Sequence, residues 1–71
     1  MRIFDYNDLK ERKKEFPVGS RIKLVWTVDE SLETDAKGTV VRSNQKADLE
    51  IAWDSGQTSW IIHGRDVIER L

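Results

Sequence analysis

The arms Leu49-Glu50-Ile51-Ala52-Trp53 and Gln57-Thr58-Ser59-Trp60-Ile61-Ile62 flank the turn-forming triplet Asp54-Ser55-Gly56, and this arrangement constrains the fold more than any other part of the chain. Apolar residues alternate along the first arm, β-branched and aromatic residues fill the second, and a short polar loop ending in glycine joins them, which is the pattern of a β-hairpin. Two turn geometries are compatible with it. A two-residue Ser55-Gly56 turn pairs Trp53 with Thr58 and Ile51 with Trp60, sending Trp60 into a core with Leu49, Ile51 and Trp53. A three-residue turn over Asp54-Ser55-Gly56 pairs Trp53 with Gln57, Ile51 with Ser59 and Leu49 with Ile61, and turns Trp60 outward. The longer turn is favoured, because the Asp54 carboxylate can accept from the backbone N–H groups that follow and Gly56 has no Cβ penalty at positive φ. Trp60 and Ile62 then form an outer apolar patch beside Ala52. Either an N-terminal helix covers that patch with Leu9 and Phe16, or the patch stays open as a docking surface.

The rest of the chain divides into a helical segment, residues 1–17, and a β segment, residues 18–71, of one domain. Asp5 or Asn7 can cap a helix, Asp8 suits its first turn, and Leu9-Lys10-Glu11-Arg12-Lys13-Lys14-Glu15 favours helix until Pro17 ends it. Arg21-Ile22-Lys23-Leu24-Val25-Trp26-Thr27 reads as a half-buried strand, with Ile22, Leu24 and Trp26 on one face and Arg21, Lys23 and Val25 on the other. Residues 28–37 are acidic and non-periodic, a solvated loop. Gly38-Thr39-Val40-Val41-Arg42-Ser43 resumes strand character, Asn44-Gln45-Lys46-Ala47-Asp48 is a polar turn, and His63-Gly64-Arg65-Asp66 is a corner before a last short element at Val67, Ile68 and Leu71. The expected fold is mainly β: a small SH3-like antiparallel barrel of four to five strands with one N-terminal α-helix. Closure of such a sheet also protects its edges.

At 71 residues and without cysteine, the chain has neither disulfides nor thiolate zinc sites to support it, so its stability rests on a small apolar core. Cysteine-free composition and the lack of a signal or membrane-spanning segment suggest a cytoplasmic protein. Net charge is −1, which argues against bulk attraction to polyanions, yet the charge is unevenly placed. Residues 1–28 hold seven Lys/Arg against four Asp/Glu, whereas residues 29–36 hold four acids and no base.

No enzymatic constellation is evident. His63 is the single histidine and lacks cysteine or nucleophile partners, so neither a metal site nor a catalytic pair is expected, and no cofactor-binding motif is present. Asp54 and Gly56 are read as turn residues and Asp66 as a cap. The stretches Phe16-Pro17-Val18-Gly19-Ser20-Arg21-Ile22-Lys23-Leu24, Lys37-Gly38-Thr39-Val40, Ile51-Ala52-Trp53-Asp54-Ser55-Gly56 and Gly64-Arg65-Asp66 resemble a family of short uncharacterised SH3-like barrel proteins of bacteria and their prophages or conjugative elements. The resemblance covers about residues 15–68. It implies a fold and a mobile-element setting and assigns no catalytic residues. Trp60 and Ser59 stand where that family usually has a small residue and a leucine, respectively. Gly38-Thr39-Val40-Val41 is also similar to the turn-strand of barrel modules that touch RNA.

The functional expectation is a non-enzymatic interaction module that binds a protein partner or itself, with Trp60, Ile62 and Trp26 as contact candidates. The alternative is a nucleic-acid-binding barrel using Arg21, Lys23 and Arg42 together with Lys10, Arg12, Lys13 and Lys14 of the helix. Interleaved Glu11 and Glu15 and the acidic loop weigh against that alternative.

Overall fold

The computed structural model describes residues 6–71, and the side chains of all of these except residues 6–9 and 13. The expected capping by Asp5, Asn7 and Asp8 and the side chains of Phe4, Tyr6, Leu9 and Lys13 lie outside the described residues. The chain runs from helix α1 (Tyr6–Glu15) into five strands: β1 (Arg21–Trp26), β2 (Lys37–Ser43), β3 (Leu49–Trp53), β4 (Thr58–Ile61) and β5 (Val67–Arg70). All pairings are antiparallel, and the single sheet has the order β4-β3-β2-β1-β5. The fold is therefore mainly β with one N-terminal helix. β2, β3 and β4 each lie beside the strand before them, and β5 returns to the free side of β1.

Alternation along the strands sends one apolar set inward. Ile22, Leu24, Val40, Leu49, Ile51, Trp53, Ile61 and Ile68 form a single buried cluster, against which Leu32 and Ala36 of the β1–β2 connection also pack. Phe16 belongs to the same cluster and is 3% exposed. Of the two alternatives for the Trp60 patch, this counts against cover by Phe16: the helix ends where the Phe16 N–H donates to the Arg12 carbonyl at 2.8 Å, and the Phe16 side chain itself drops into the core. The Arg12 guanidinium lies 4.8 Å above the Phe16 ring, where burial lowers its pKa against the opposing pull of Glu15 and Asp48.

The β3–β4 hairpin takes the three-residue turn. Leu49 pairs with Ile61, Glu50 with Trp60 and Ile51 with Ser59, while Trp53 exchanges backbone bonds with Gln57 and Gly56. Gly56 has φ of +100°, a conformation that side-chain-bearing residues rarely adopt. Ser59 points inward, and its hydroxyl accepts the Trp53 indole N–H at 2.8 Å, so the largest core residue has its one polar group satisfied. Gly38 has a different reason to be glycine. A Cβ there would lie 2.6 Å from the Ile51 Cγ2 and 2.9 Å from the Ala52 carbonyl oxygen, so only a bare backbone lets β2 and β3 approach.

Two buried carboxylates hold the connections. Asp48 Oδ1 accepts the His63 N–H at 2.9 Å and its Oδ2 accepts from the Asn44 amide at 3.1 Å, tying the β2–β3 turn to the β4–β5 corner. Asp66 accepts the Ile62 N–H and the Thr27 hydroxyl, each at 2.9 Å, and two bonds from Arg65 at 2.9 and 2.7 Å.

Candidate interaction surface

The outer face of the sheet is a ladder of cross-strand rows. Near one end Trp60 of β4, Glu50 of β3 and Arg42 of β2 lie side by side, and Arg42 gives two hydrogen bonds to the Glu50 carboxylate, at 3.1 and 2.9 Å. In the next row Thr58, Ala52, Thr39 and Arg21 adjoin. Arg21 makes a bidentate pair with Asp54 across the sheet at 2.7 and 2.6 Å, and a further bond to the Thr39 hydroxyl at 3.0 Å. Asp54 sits in the turn, but its carboxylate anchors a distant strand and, contrary to expectation, does not accept from the backbone N–H groups that follow it. The turn is closed by the Gly56 N–H donating to the Trp53 carbonyl at 2.9 Å. Hydrogen bonds from Arg21 hold the Asp54 carboxyl below the ordinary Asp range, and the same bonds raise the arginine. Beyond these, Lys23 reaches Glu69 of β5 at 2.9 Å, which raises the lysine pKa, and approaches Asp35 at 3.9 Å.

Each of the three strand cations proposed for phosphate contact is therefore already matched to a carboxylate. Arg21 and Asp54 are 33 positions apart in the chain, and Lys23 and Glu69 are paired across β1 and β5. Nothing local in the sequence announces those partners.

Past this polar band the face becomes apolar again, for a reason the period-2 rule does not contain. β1 pairs with β5 through Leu24↔Ile68 and then Trp26↔Val67, leaving Val25 as an extra residue, a β-bulge. The bulge breaks alternation, so Trp26 does not share the buried face of Ile22 and Leu24 as expected. It is 54% exposed, with Val25 at 41% and Val67 at 49%. Val28, in the β1–β2 connection, is also exposed. Trp60 is less exposed, at 37%, and Ile62 is half-buried at the corner. β2 and β3 separate the strands that carry Trp26 and Trp60, and the ion-paired rows lie between the two residues, so the contact candidates do not form one patch.

A cleft of about 210 Å³ opens beside Trp26, with Leu24 and Val25 on the strand side and Asp29, Glu30 and Leu32 on the loop side. The loop is built, not loose. Thr27 Oγ1 donates to the buried Asp66 carboxylate and accepts the Asp29 N–H at 3.1 Å. Asp29 Oδ1 accepts both the N–H and the hydroxyl of Ser31, at 2.9 and 2.6 Å, and these bonds lower its pKa. Leu32 packs on the core, and the Asp35 N–H returns to the Leu24 carbonyl at 3.0 Å. Asp66 itself feels burial first, which raises its pKa, but the bonds from Arg65, Ile62 and Thr27 together bring it below the ordinary value. Among the described residues, no group of three or more His, Cys, Asp or Glu side chains is placed to hold a metal ion. No described helix is long and apolar enough to cross a membrane.

A family match spans this whole arrangement, from the helix through β5, over residues 5–71. The chain belongs to DUF4314, a domain of unknown function. No curated protein and no solved structure matches it. The DUF4314 match begins ahead of α1, so the helical segment and the sheet belong to the same family domain. Sequence reasoning placed Val25 on the outer face of this DUF4314 domain but missed Trp26 and its partner Val67 there, and it missed the buried roles of Asp48 and Asp66. A bulge and a buried carboxylate both arise from long-range pairing, and neither has a local signature.

Proposed function

We propose that this DUF4314 domain is a non-enzymatic, SH3-like interaction module that docks a protein partner on the Trp26 end of its outer face. The observation that carries this reading is the bulge-exposed cluster of Val25, Trp26 and Val67. An indole and two valines held outward on a rigid sheet offer apolar area that a partner can bury, and tryptophan dominates interface energetics more than other residues do. The resemblance to small bacterial and mobile-element barrels supports a cytoplasmic bacterial setting, and the 4-3-2-1-5 strand order supports the SH3-like assignment.

The nucleic-acid alternative has less support. Phosphate contacts through Arg21, Lys23 or Arg42 would require displacing Asp54, Glu69 or Glu50, and the acidic connection beside Trp26 repels a polyanion. The test is capture of partners from the source cell by the tagged chain, its Trp26→Ala variant and its Trp60→Ala variant, with thermal unfolding as a control. The proposal expects Trp26→Ala to stay folded and lose a partner that Trp60→Ala retains. Retention by both folded variants overturns it. A salt-sensitive gel shift with RNA or DNA would favour the alternative.

A further inference from the structure

We infer that the partner segment seated beside Trp26 is basic, with a Lys or Arg side chain lying across the Trp26 indole and directed at Asp29 and Glu30. The inference rests on the interaction reading above and names the chemistry of what binds. Its starting point is the mixed character of the cleft: an exposed indole and valine on the strand side, and the acidic residues Asp29 and Glu30 on the loop side. A purely apolar partner would have to desolvate those carboxylates without compensation, and an anionic partner would be repelled. A cation with an aliphatic stem satisfies both walls, since its stem covers apolar surface, its head reaches a carboxylate, and its charge is attracted to the face of an indole.

The charge around the cleft is unbalanced in the required sense. Residues 29–36 contain four acids and no base. Asp35 has Lys23 within 3.9 Å, but Glu30 and Glu33 make no ion pair among the described residues. Asp29 uses Oδ1 for Ser31, and its Oδ2 carries no hydrogen bond among the described residues. Arg65, the base whose field reaches Asp29, is committed to Asp66 through two bonds. A cleft of about 210 Å³ is below the roughly 300–1,000 Å³ of sites for drug-sized ligands, and suits one side chain. The walls are preformed, because Thr27 is tied to Asp66 and Leu32 to the core, so binding orders little.

The experiment titrates the isotope-labelled full chain with a short blocked peptide of alternating Arg and Leu, and with the same peptide carrying Glu at every Arg, following Trp indole and backbone amide resonances. The inference expects saturable shifts at the Trp26 indole and at residues 27–32 with the Arg peptide and none with the Glu peptide. Glu30→Lys and Trp26→Ala should each weaken binding by roughly tenfold while Trp60→Ala leaves it unchanged. Equal response to both peptides overturns the cation inference and leaves the interaction reading standing. No response, or shifts centred on Trp60, also overturns it. If the same resonances move when the chain alone is diluted, a second copy is the occupant and the inference fails.

Discussion

Replacing Asp66 by alanine tests whether the buried corner holds up the Trp26 cleft. The Asp66 carboxylate is fully buried and accepts bonds from the Ile62 N–H, the Thr27 hydroxyl and the Arg65 guanidinium. Truncation leaves the Ile62 N–H and the Thr27 hydroxyl without their acceptor, at about 1–3 kcal/mol for each donor left unsatisfied. Arg65 is 45% exposed and can rehydrate, so its share is small. The expected net loss is about 2–4 kcal/mol, against a total of roughly 4–10 kcal/mol for a domain of this length. Asp66→Asn keeps one acceptor oxygen and should lose about half as much. Urea unfolding at neutral pH, read by tryptophan fluorescence, measures both, with an unchanged denaturant slope. Because the folded-state pKa of Asp66 is depressed, its contribution is complete above the unfolded-state value near 4 and disappears as pH falls through the lower folded value. Wild type should therefore lose stability on acidification below about pH 4 more steeply than Asp66→Asn. A loss under about 0.5 kcal/mol for Asp66→Ala would refute the reasoning.

Other substitutions probe the sheet itself. Gly38→Ala forces a methyl against Ile51 and the Ala52 carbonyl and should cost about 1–3 kcal/mol by the same unfolding assay, with the hairpin register intact by NMR. Trp53→Ala should cost about 3–5 kcal/mol, whereas Trp60→Ala, on the outer face, should stay within about 1 kcal/mol of wild type. A Trp60 variant as damaging as the Trp53 variant would mean the hairpin register is wrong.

What could be read from the sequence was local. Asp54-Ser55-Gly56 with alternating arms specifies the hairpin and narrows its register to two, of which the favoured three-residue turn is the one found, since a glycine bulge and a period of two are short-range properties. Mainly β architecture with a leading helix followed from the same kind of signal repeated along the chain. Trp26 was misplaced because its orientation is decided by how β1 meets β5, some 40 residues later, and a single inserted residue flips every side chain beyond it. Whether Phe16 covers the Trp60 patch stays open in the sequence, because a sparse helical stripe does not say which neighbour it packs against. The pairing of Arg21, Arg42 and Lys23 with Asp54, Glu50 and Glu69 is set by cross-strand register and has no local signal in the sequence. Asp48 and Asp66 resemble ordinary loop acids in sequence, and only their burial reveals that they bind the connections together.

Collisional quenching of single-tryptophan variants, with the other two indoles replaced by phenylalanine, examines the exposed Trp26 and its acidic surroundings together. Trp26 should be quenched strongly and more by caesium than by iodide, Trp60 moderately and with little preference, and Trp53 hardly at all. Protection of Trp26 equal to that of Trp53, or quenching of Trp26 that favours iodide, would contradict an outward indole set beside a carboxylate wall.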